Sequence, residues 1–189
     1  LPDCYRCPLA PSPFLPGEPS VSEEKVQFCR DMLFPESFTD AMIARAQSAA
    51  AGDADAQFQM AQMYRLGKGV PVNLQEAIFW YERACKGGNS RSGYELAQLY
   101  LSESDFDKAH HWHKNAATAG QVPSMVALGN FFARGVGVTK DLKVAADWYG
   151  RAARHGNASA QFVFGLMLRD GRGVDVDRIA AFVWIGRAI

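Results

Sequence analysis

Apolar and polar residues follow one another along this chain with the period of an α-helix, in segments that resemble each other. In the first such segment, from Ala56 to Tyr64, apolar residues stand at offsets 0, 4, 7 and 8 and so share one helix face. The same arrangement recurs over residues 92–100, 124–132 and 160–168. A second amphipathic stripe follows the first, with apolar residues at positions 77, 80, 81 and 84. The pattern therefore predicts pairs of helices, repeated along the chain.

The four tryptophans give the period of this repetition. Trp80, Trp112, Trp148 and Trp184 are 32, 36 and 36 residues apart, and each has an alanine three residues before it and another four residues after it. A fixed period in the thirties is typical of a helical solenoid. Because a solenoid presents an extended surface, the period favours a binding function over a catalytic one.

Glycines separate the two helices of a repeat. Gly-x-Gly-Val occurs at 67–70, 135–138 and 171–174, where the glycines are expected to end the first helix in positive-φ conformations. The second repeat lacks this loop, which accounts for the single spacing of 32 residues. Each second helix is expected to stop at a glycine, namely Gly88, Gly120 and Gly156.

Polar and small residues mark further positions of the helix pairs. Good N-caps for the second helix stand three residues after the loop valine, at Asn73, Asp141 and Asp177. Asn73 and Glu76 also have the spacing of a capping box. A small residue in the middle of each first helix would let two helices approach closely, at Ala61, Ala97, Gly129 and Gly165.

Taken together, the Gly-x-Gly-Val loop, the Trp-Tyr pair and the Ala-Ala pair of the second helix resemble the Sel1-like repeat family, relatives of the tetratricopeptide repeats. The resemblance covers residues 38–189. It implies an all-α fold, a right-handed superhelical solenoid of antiparallel helix pairs that serves as an adaptor or scaffold, and it implies no catalytic residues. The sequence departs from the family pattern in the missing loop of the second repeat and in His113, which stands where Tyr81 and Tyr149 stand in other repeats.

The repeats divide the chain. We expect an N-terminal arm over residues 1–37, a half-repeat over 38–52, and four repeats over 53–89, 90–121, 122–157 and 158–189. Seven of the nine prolines lie before residue 36, so the arm is predicted to be extended, with one short helix over 23–34. Because no polar helix follows Trp184, Ile185 and Ile189, we expect either that the native chain continues or that something else covers this face.

Composition narrows the function further. Twenty basic and twenty acidic residues cancel, and no basic run is present, so the electrostatic footprint of a nucleic-acid-binding protein is missing. No apolar stretch approaches the length of about 20 residues that a membrane span needs. The chain starts at Leu1, so a leader could have been removed or omitted.

The cysteines bear on the compartment. Cys85 stands at a core position of a second helix and is predicted to be a small buried hydrophobe. In the arm, we predict one disulfide that joins Cys29 to Cys4 or to Cys7; reduced, disordered thiols are the alternative. A disulfide slightly favours a periplasmic or secreted location over a cytoplasmic one.

Three patterns could suggest chemistry. His110 and His113 share a helix face, but His113 occupies the packed tyrosine position, so we predict no metal site. The glycine loops lack the preceding strand of a dinucleotide site. The aromatic stripe, which includes Phe79, Trp80, Tyr81, Trp148 and Tyr149, is interpreted as core packing. We therefore expect no enzyme activity and no cofactor.

Polar residues off the apolar stripe of the first helices are the best candidates for a binding site. They can hydrogen-bond the backbone or acidic groups of an extended peptide. The predicted partner-binding groove on the concave face consists of Gln59, Gln62, Arg65, Glu95, Gln98, Asn130, Arg134 and Arg169.

The sequence therefore predicts a non-catalytic scaffold that binds a protein or peptide, from a bacterium according to the family resemblance. One alternative is a regulator in the cell envelope or a secreted one, associated with a cell-wall ligand or a hydrolase. Another is a structural segment of a larger protein that docks, or dimerises, through its C-terminal face.

Overall fold

The structure, a computed structural model, describes residues 40–189, and every regular element within them is an α-helix. The helices are α1 (Asp40–Ala50), α2 (Ala54–Leu66), α3 (Leu74–Lys86), α4 (Ser90–Ser102), α5 (Phe106–Thr118), α6 (Val122–Arg134), α7 (Leu142–Arg154), α8 (Ala158–Asp170) and α9 (Arg178–Arg187). They form two compact units, one that ends at Gly87 and one over Gly88–Ile189. The predicted arm over 1–37, its helix over 23–34 and its disulfide lie outside the described residues.

The second helices begin where their N-caps predict. The side chain of Asp141 accepts hydrogen bonds from the backbone N–H groups of Lys143 (2.9 Å) and Val144 (3.0 Å). Asn73 and Asp177 cap α3 and α9 in the same way. These three predicted caps are confirmed, and each satisfies N–H groups that have no partner inside the helix.

The predicted capping box of Asn73 and Glu76 is wrong in one half. Asn73 accepts from the backbone N–H of Glu76 at 3.2 Å, but its own N–H donates to the carbonyl of Tyr64 at 2.9 Å. The N–H group that Glu76 would have satisfied is therefore bound to the preceding helix. Glu76 is instead buried, and burial raises the pKa of its carboxyl.

The loop glycines have positive φ, as predicted, and the second glycine of each loop has a further role. A side chain at Gly69 would collide with Met42 of α1, and one at Gly173 would collide with the backbone of Leu142 at the start of α7. Each of these glycines thus lets the loop lie against the second helix of the preceding repeat. The second repeat replaces this loop by residues 103–105, where Ser104 adopts a φ of 60°.

In the first unit, α2 packs against both α1 and α3. The rings of Phe58 and Tyr81 meet with centroids 5.8 Å apart, and both residues are buried. The interpretation of Phe79 as a core residue is wrong: 38% of its surface is exposed, and the guanidinium of Arg83 lies 5.6 Å above its ring. Position 79 therefore lies beside the buried stripe rather than on it.

In the second unit, α6 packs against α5 and α7, and α8 packs against α7 and α9. A β-carbon at Gly129 would lie 2.8 Å from the ring of Tyr149, and one at Gly165 would lie 2.7 Å from Ile185 Cγ1. The prediction that these small residues allow close helix approach is thus confirmed. The core of this unit is formed by residues such as Leu128, Ala145 and Tyr149.

Candidate functional site

The predicted binding residues of the first unit lie on α2. Gln59 is exposed, while Gln62 and Arg65 are half-buried. The Arg65 Nε donates a hydrogen bond of 3.2 Å to the hydroxyl of Tyr81 on the next helix. Arg65 thus holds the second-helix tyrosine as well as presenting a charge at the surface.

The predicted binding residues of the second unit lie on α4, α6 and α8. Gln98, Arg134 and Arg169 are exposed, whereas Glu95 and Asn130 are half-buried. The structure brings Asn130 and Arg134 together, one turn apart on α6. Arg169 is already paired, because its guanidinium contacts both carboxylate oxygens of Asp170, at 2.6 and 3.0 Å.

In the second unit, Asn130 of α6 is joined to the buried Tyr149 of α7. The Tyr149 hydroxyl donates a hydrogen bond of 2.7 Å to Asn130 Oδ1. Burial raises the pKa of Tyr149, and the positive charges of Arg134 and Arg172 partly offset this rise. The tyrosine is therefore a neutral donor at ordinary pH, and its hydrogen bond fixes the Asn130 amide. Sequence reasoning did not identify Tyr149 or Arg172 as part of this surface.

The histidine cluster lies on α5. His113 is fully buried, and its Nδ1 lies 3.2 Å from Ser124 Oγ. Burial, helped by the charge of His110, lowers the His113 pKa to about 4. His110 is half-buried with its ring 5.5 Å from that of Phe132, and His111 is exposed. The prediction that His113 packs in the tyrosine position is confirmed.

Within residues 40–189, no group of three or more histidine, cysteine or acidic side chains is arranged to hold a metal ion. Cys85 in this part of the chain is a free, half-buried thiol. Burial, together with the charge of Glu82, raises its pKa to about 12. The thiol is therefore protonated at ordinary pH, but Cys85 is half-buried and not buried as predicted.

Two buried glutamines link successive repeats, and sequence reasoning missed their role. Gln57 Nε2 donates to the carbonyl of Ala49 (3.0 Å), and Gln161 Nε2 donates to that of Ala153 (3.1 Å). Each glutamine thus joins the start of a first helix to the end of the preceding second helix. The recurrence of Ala-x-Ala-Gln or its close equivalent in the first and fourth repeats was the available signal.

With the fold and these surfaces described, comparison with known proteins assigns the family. The family model "Sel1 repeat" matches residues 54–89, 93–121, 122–157 and 158–189, which is most of the chain. The chain belongs to the Sel1 repeat family. The fold is accordingly an all-α solenoid of repeats, as predicted. Sel1 repeats are generally protein–protein interaction modules, and their scaffold is generally non-catalytic.

Solved Sel1 repeat structures are similar to this chain. A Sel1 repeat protein from Oxalobacter formigenes is 26% identical, with a TM-score of 0.69 over 78% of this chain and 64% of that one. A protective antigen present in uropathogenic Escherichia coli strains, which displays an SLR fold, is 33% identical. Its TM-score is 0.65 over 78% of this chain and 32% of that one.

A curated relative is similar in sequence. An uncharacterized protein of Neisseria meningitidis serogroup B is 29% identical over 119 residues, which are 63% of this chain and 25% of the relative. This Sel1 repeat chain thus spans less than two thirds of the length of each of these three proteins. None of the helices formed by residues 40–189 has the length and apolar character needed to cross a membrane.

Proposed function

We propose that this Sel1 repeat protein is a non-catalytic scaffold that binds a peptide or protein partner on its first-helix face. The first-helix face consists of Gln59, Gln62 and Arg65 in the first unit, and of Glu95, Gln98, Asn130, Arg134 and Arg169 in the second unit. The single observation that carries the proposal is the hydrogen bond of 2.7 Å between Tyr149 and Asn130, with Arg134 exposed one turn further along α6.

A fixed amide favours binding. Since the Tyr149 hydroxyl occupies Asn130 Oδ1, the amide nitrogen of Asn130 is turned away from the tyrosine, as a donor with a set direction. Ordering a polar side chain on binding costs about 0.5–1.5 kcal/mol, and a side chain already held by its own protein avoids most of this cost. The structure therefore supports Asn130 as a donor to a backbone carbonyl of the partner.

Arginines supply the second kind of contact. A guanidinium donates charge-assisted hydrogen bonds to carboxylates, which are roughly twice as strong as neutral ones. Arg134 is exposed at the C-terminal end of α6, so its guanidinium is accessible to such a partner group. We therefore propose that the partner segment presents an acidic side chain here.

A pull-down tests this proposal. The bait is the 189-residue chain, and the variant carries Gln59→Ala, Gln98→Ala and Arg134→Glu, three exposed positions whose replacement leaves the core intact. The matched control is Lys86→Glu, an exposed charge reversal on a second helix. A partner that wild type and control retain and the triple variant loses supports the first-helix face, while equal capture by all three contradicts it.

The source and compartment are also proposals. Two bacterial solved relatives support a bacterial origin, and the description of one as a protective antigen supports an exposed or secreted location. A role as a regulator associated with a cell-wall ligand or hydrolase would follow from such a location. Detecting the protein in the cytoplasmic fraction of the source cells, and not in the envelope or medium, would contradict it.

A second candidate function is dimerisation through α9. Ile179 and Phe182 on this helix are each 81% exposed, and Ala181 is its buried residue. In an antiparallel pairing of two α9 helices, the N-cap Asp177 of one would approach Arg187 of the other, so the ends are complementary in charge. Light scattering should give a dimer mass for the wild type and a monomer mass for Phe182→Glu; a monomeric wild type contradicts this candidate.

A further inference from the structure

A glycine of α7 receives an aromatic ring of the next helix, and α9 carries a glycine at the same repeat position. Gly150 and Gly186 are 36 residues apart, and Glu82 and Lys114 occupy this position in the first and second repeats. A β-carbon at Gly150 would lie 3.2 Å from the ring of Phe164 on α8. Because Gly150 has no side chain, this ring can lie close against the backbone of α7.

The face of α9 that contains Gly186 is exposed, whereas the equivalent face of α7 is buried. Ala146 and Ala153, which stand four residues before Gly150 and three after it, are both buried. Gly186 is exposed. Apart from its chain neighbours and the backbone of α9, no atom of residues 40–189 lies within 4 Å of a β-carbon placed there. The position that α8 contacts on α7 is therefore accessible to another molecule on α9.

Exposed apolar side chains share this face of α9. Ile179 and Phe182 stand seven and four residues before Gly186, so the three residues lie on one side of the helix. Ile179 and Phe182 are each 81% exposed. One helix thus presents both parts of the contact between α7 and α8: an exposed aromatic ring and, one turn away, a glycine against which a ring can pack.

We propose that two copies of this chain pair through antiparallel α9 helices, with the Phe182 ring of each copy against Gly186 of the other. This inference rests on the second candidate function, dimerisation through α9, and adds the register of the pairing. A two-fold axis level with Trp184 lies two residues from each of these positions, which is about 3 Å along the helix at 1.5 Å per residue. It therefore brings position 182 of one copy opposite position 186 of the other. An interface between identical copies has to be self-complementary in this way.

A second copy fits this face in helix direction and in charge. Within the chain, α8 runs back along α7 after the short connection over residues 155–157, so the existing contact between ring and glycine joins antiparallel helices. The proposed pairing places the N-terminal end of each α9, with Asp177, beside the C-terminal end of the other, with Arg187. The opposite helix dipoles favour the same arrangement.

The contact area indicates a weak dimer. An aromatic side chain buries about 150–250 Å², and each copy contributes one such ring and a neighbouring isoleucine. The pair of helices therefore stays at the low end of interface sizes, below about 1,200 Å² in total. We expect a dimer Kd on the order of 10–100 µM.

Sedimentation equilibrium of the full 189-residue chain, from about 5 to 500 µM, tests the pairing. Phe182→Ala removes the ring, and Gly186→Phe places a second ring where the first has to lie. Each single variant should weaken dimerisation at least about tenfold. Both positions are exposed, so neither change disturbs the core. The double variant exchanges the ring and the small residue, so it should recover most of the wild-type affinity, a departure from additivity that requires direct contact.

The control is Phe79→Ala, which removes an exposed aromatic ring from α3 of the first unit and should leave dimerisation unchanged. A wild type that is monomeric over the whole range contradicts dimerisation through α9 and this inference with it, as does a dimer that Phe182→Ala leaves intact. If the single variants weaken the dimer and the double variant is weaker still, α9 remains the interface and the proposed register is overturned.

Discussion

Gln161 donates a hydrogen bond of 3.1 Å from its Nε2 to the main-chain carbonyl of Ala153, and it thereby joins α8 to the end of α7. Gln57, at the same position of the first repeat, makes the equivalent contact with the carbonyl of Ala49 at 3.0 Å. The carbonyls of Ala153 and Ala49 also accept from the backbone N–H groups of Gly156 (3.0 Å) and Gly52 (3.2 Å), so each glutamine adds a second, buried donor at the end of a helix.

Replacing Gln161 by methionine should therefore lower the free energy of unfolding by about 0.5–1.5 kcal/mol, because the volume is kept while the Ala153 carbonyl loses one of its two donors and keeps the Gly156 N–H at 3.0 Å. Gln57→Met should cost less, since the Gln57 Oε1 is buried without a hydrogen-bond partner among the described groups and its removal offsets part of the loss. Urea denaturation measures both, with the exposed Gln75→Met as the neutral control. Equal stability of wild type and Gln161→Met would show that the bond contributes nothing.

The buried His113 should make stability fall in mild acid. Burial lowers its folded pKa to about 4, below the ordinary histidine pKa of about 6.5, so the unfolded chain binds the proton more tightly. Stability is therefore complete above pH 6.5 and decreases as the pH falls toward 4, by about 3 kcal/mol at most. His110, whose pKa burial also lowers, acts in the same direction.

Unfolding free energies at pH 7, 5.5 and 4.5 test this dependence. The matched variant is His113→Tyr, which places the residue of the first and third repeats at this position and removes the titrating group. As the pH falls, the wild type should lose more unfolding free energy than the variant does. Any advantage of the wild type at pH 7 should therefore shrink or reverse. A parallel pH dependence of both proteins would exclude His113 as the cause.

Features that depend on neighbouring residues in the chain could be predicted from the sequence, and features that depend on contacts between helices could not. The N-caps Asn73 and Asp141 depend on a few neighbouring residues, so local pattern was sufficient to place them. The capping box failed because Tyr64, on another helix, competes for the Asn73 N–H group. Phe79 was misplaced because adjacent aromatic residues share a sequence pattern but point in different directions from a helix. The predicted first-helix face remains a proposal, since partner contacts are not encoded in intrachain packing.

Alanine substitutions should separate the two roles of glycine in the repeats. Gly156 has a φ of 82° and open space around it, so Gly156→Ala should cost only about 1 kcal/mol for the left-handed conformation. Gly173 has a φ of 76°, and a β-carbon there would also collide with the backbone of Leu142 and Lys143. Gly173→Ala should therefore cost at least about 3 kcal/mol in chemical denaturation. Similar losses for the two variants would contradict the close contact of loop and helix.

Counting thiols tests the prediction for the cysteines. Under denaturing conditions without reductant, alkylation should modify two of the four cysteines, Cys85 and the one of Cys4 and Cys7 that is not bonded to Cys29. With reductant, all four should react. In the folded protein Cys85 should react slowly, because its raised pKa leaves little thiolate. Four modified cysteines without reductant, in protein isolated from its native compartment, would contradict the disulfide.

The most direct measurement of the central claim is photocrosslinking from a single residue of the first-helix face. Gln98 and, as the control, Lys86 are each replaced by p-benzoylphenylalanine in the 189-residue chain, since both are exposed. The proteins are then irradiated in extracts of the source organism. The proposed function predicts a specific crosslinked protein from position 98 and none from position 86. A partner that crosslinks from position 86 and not from position 98 would show that binding takes place elsewhere and would contradict the assignment of the first-helix face.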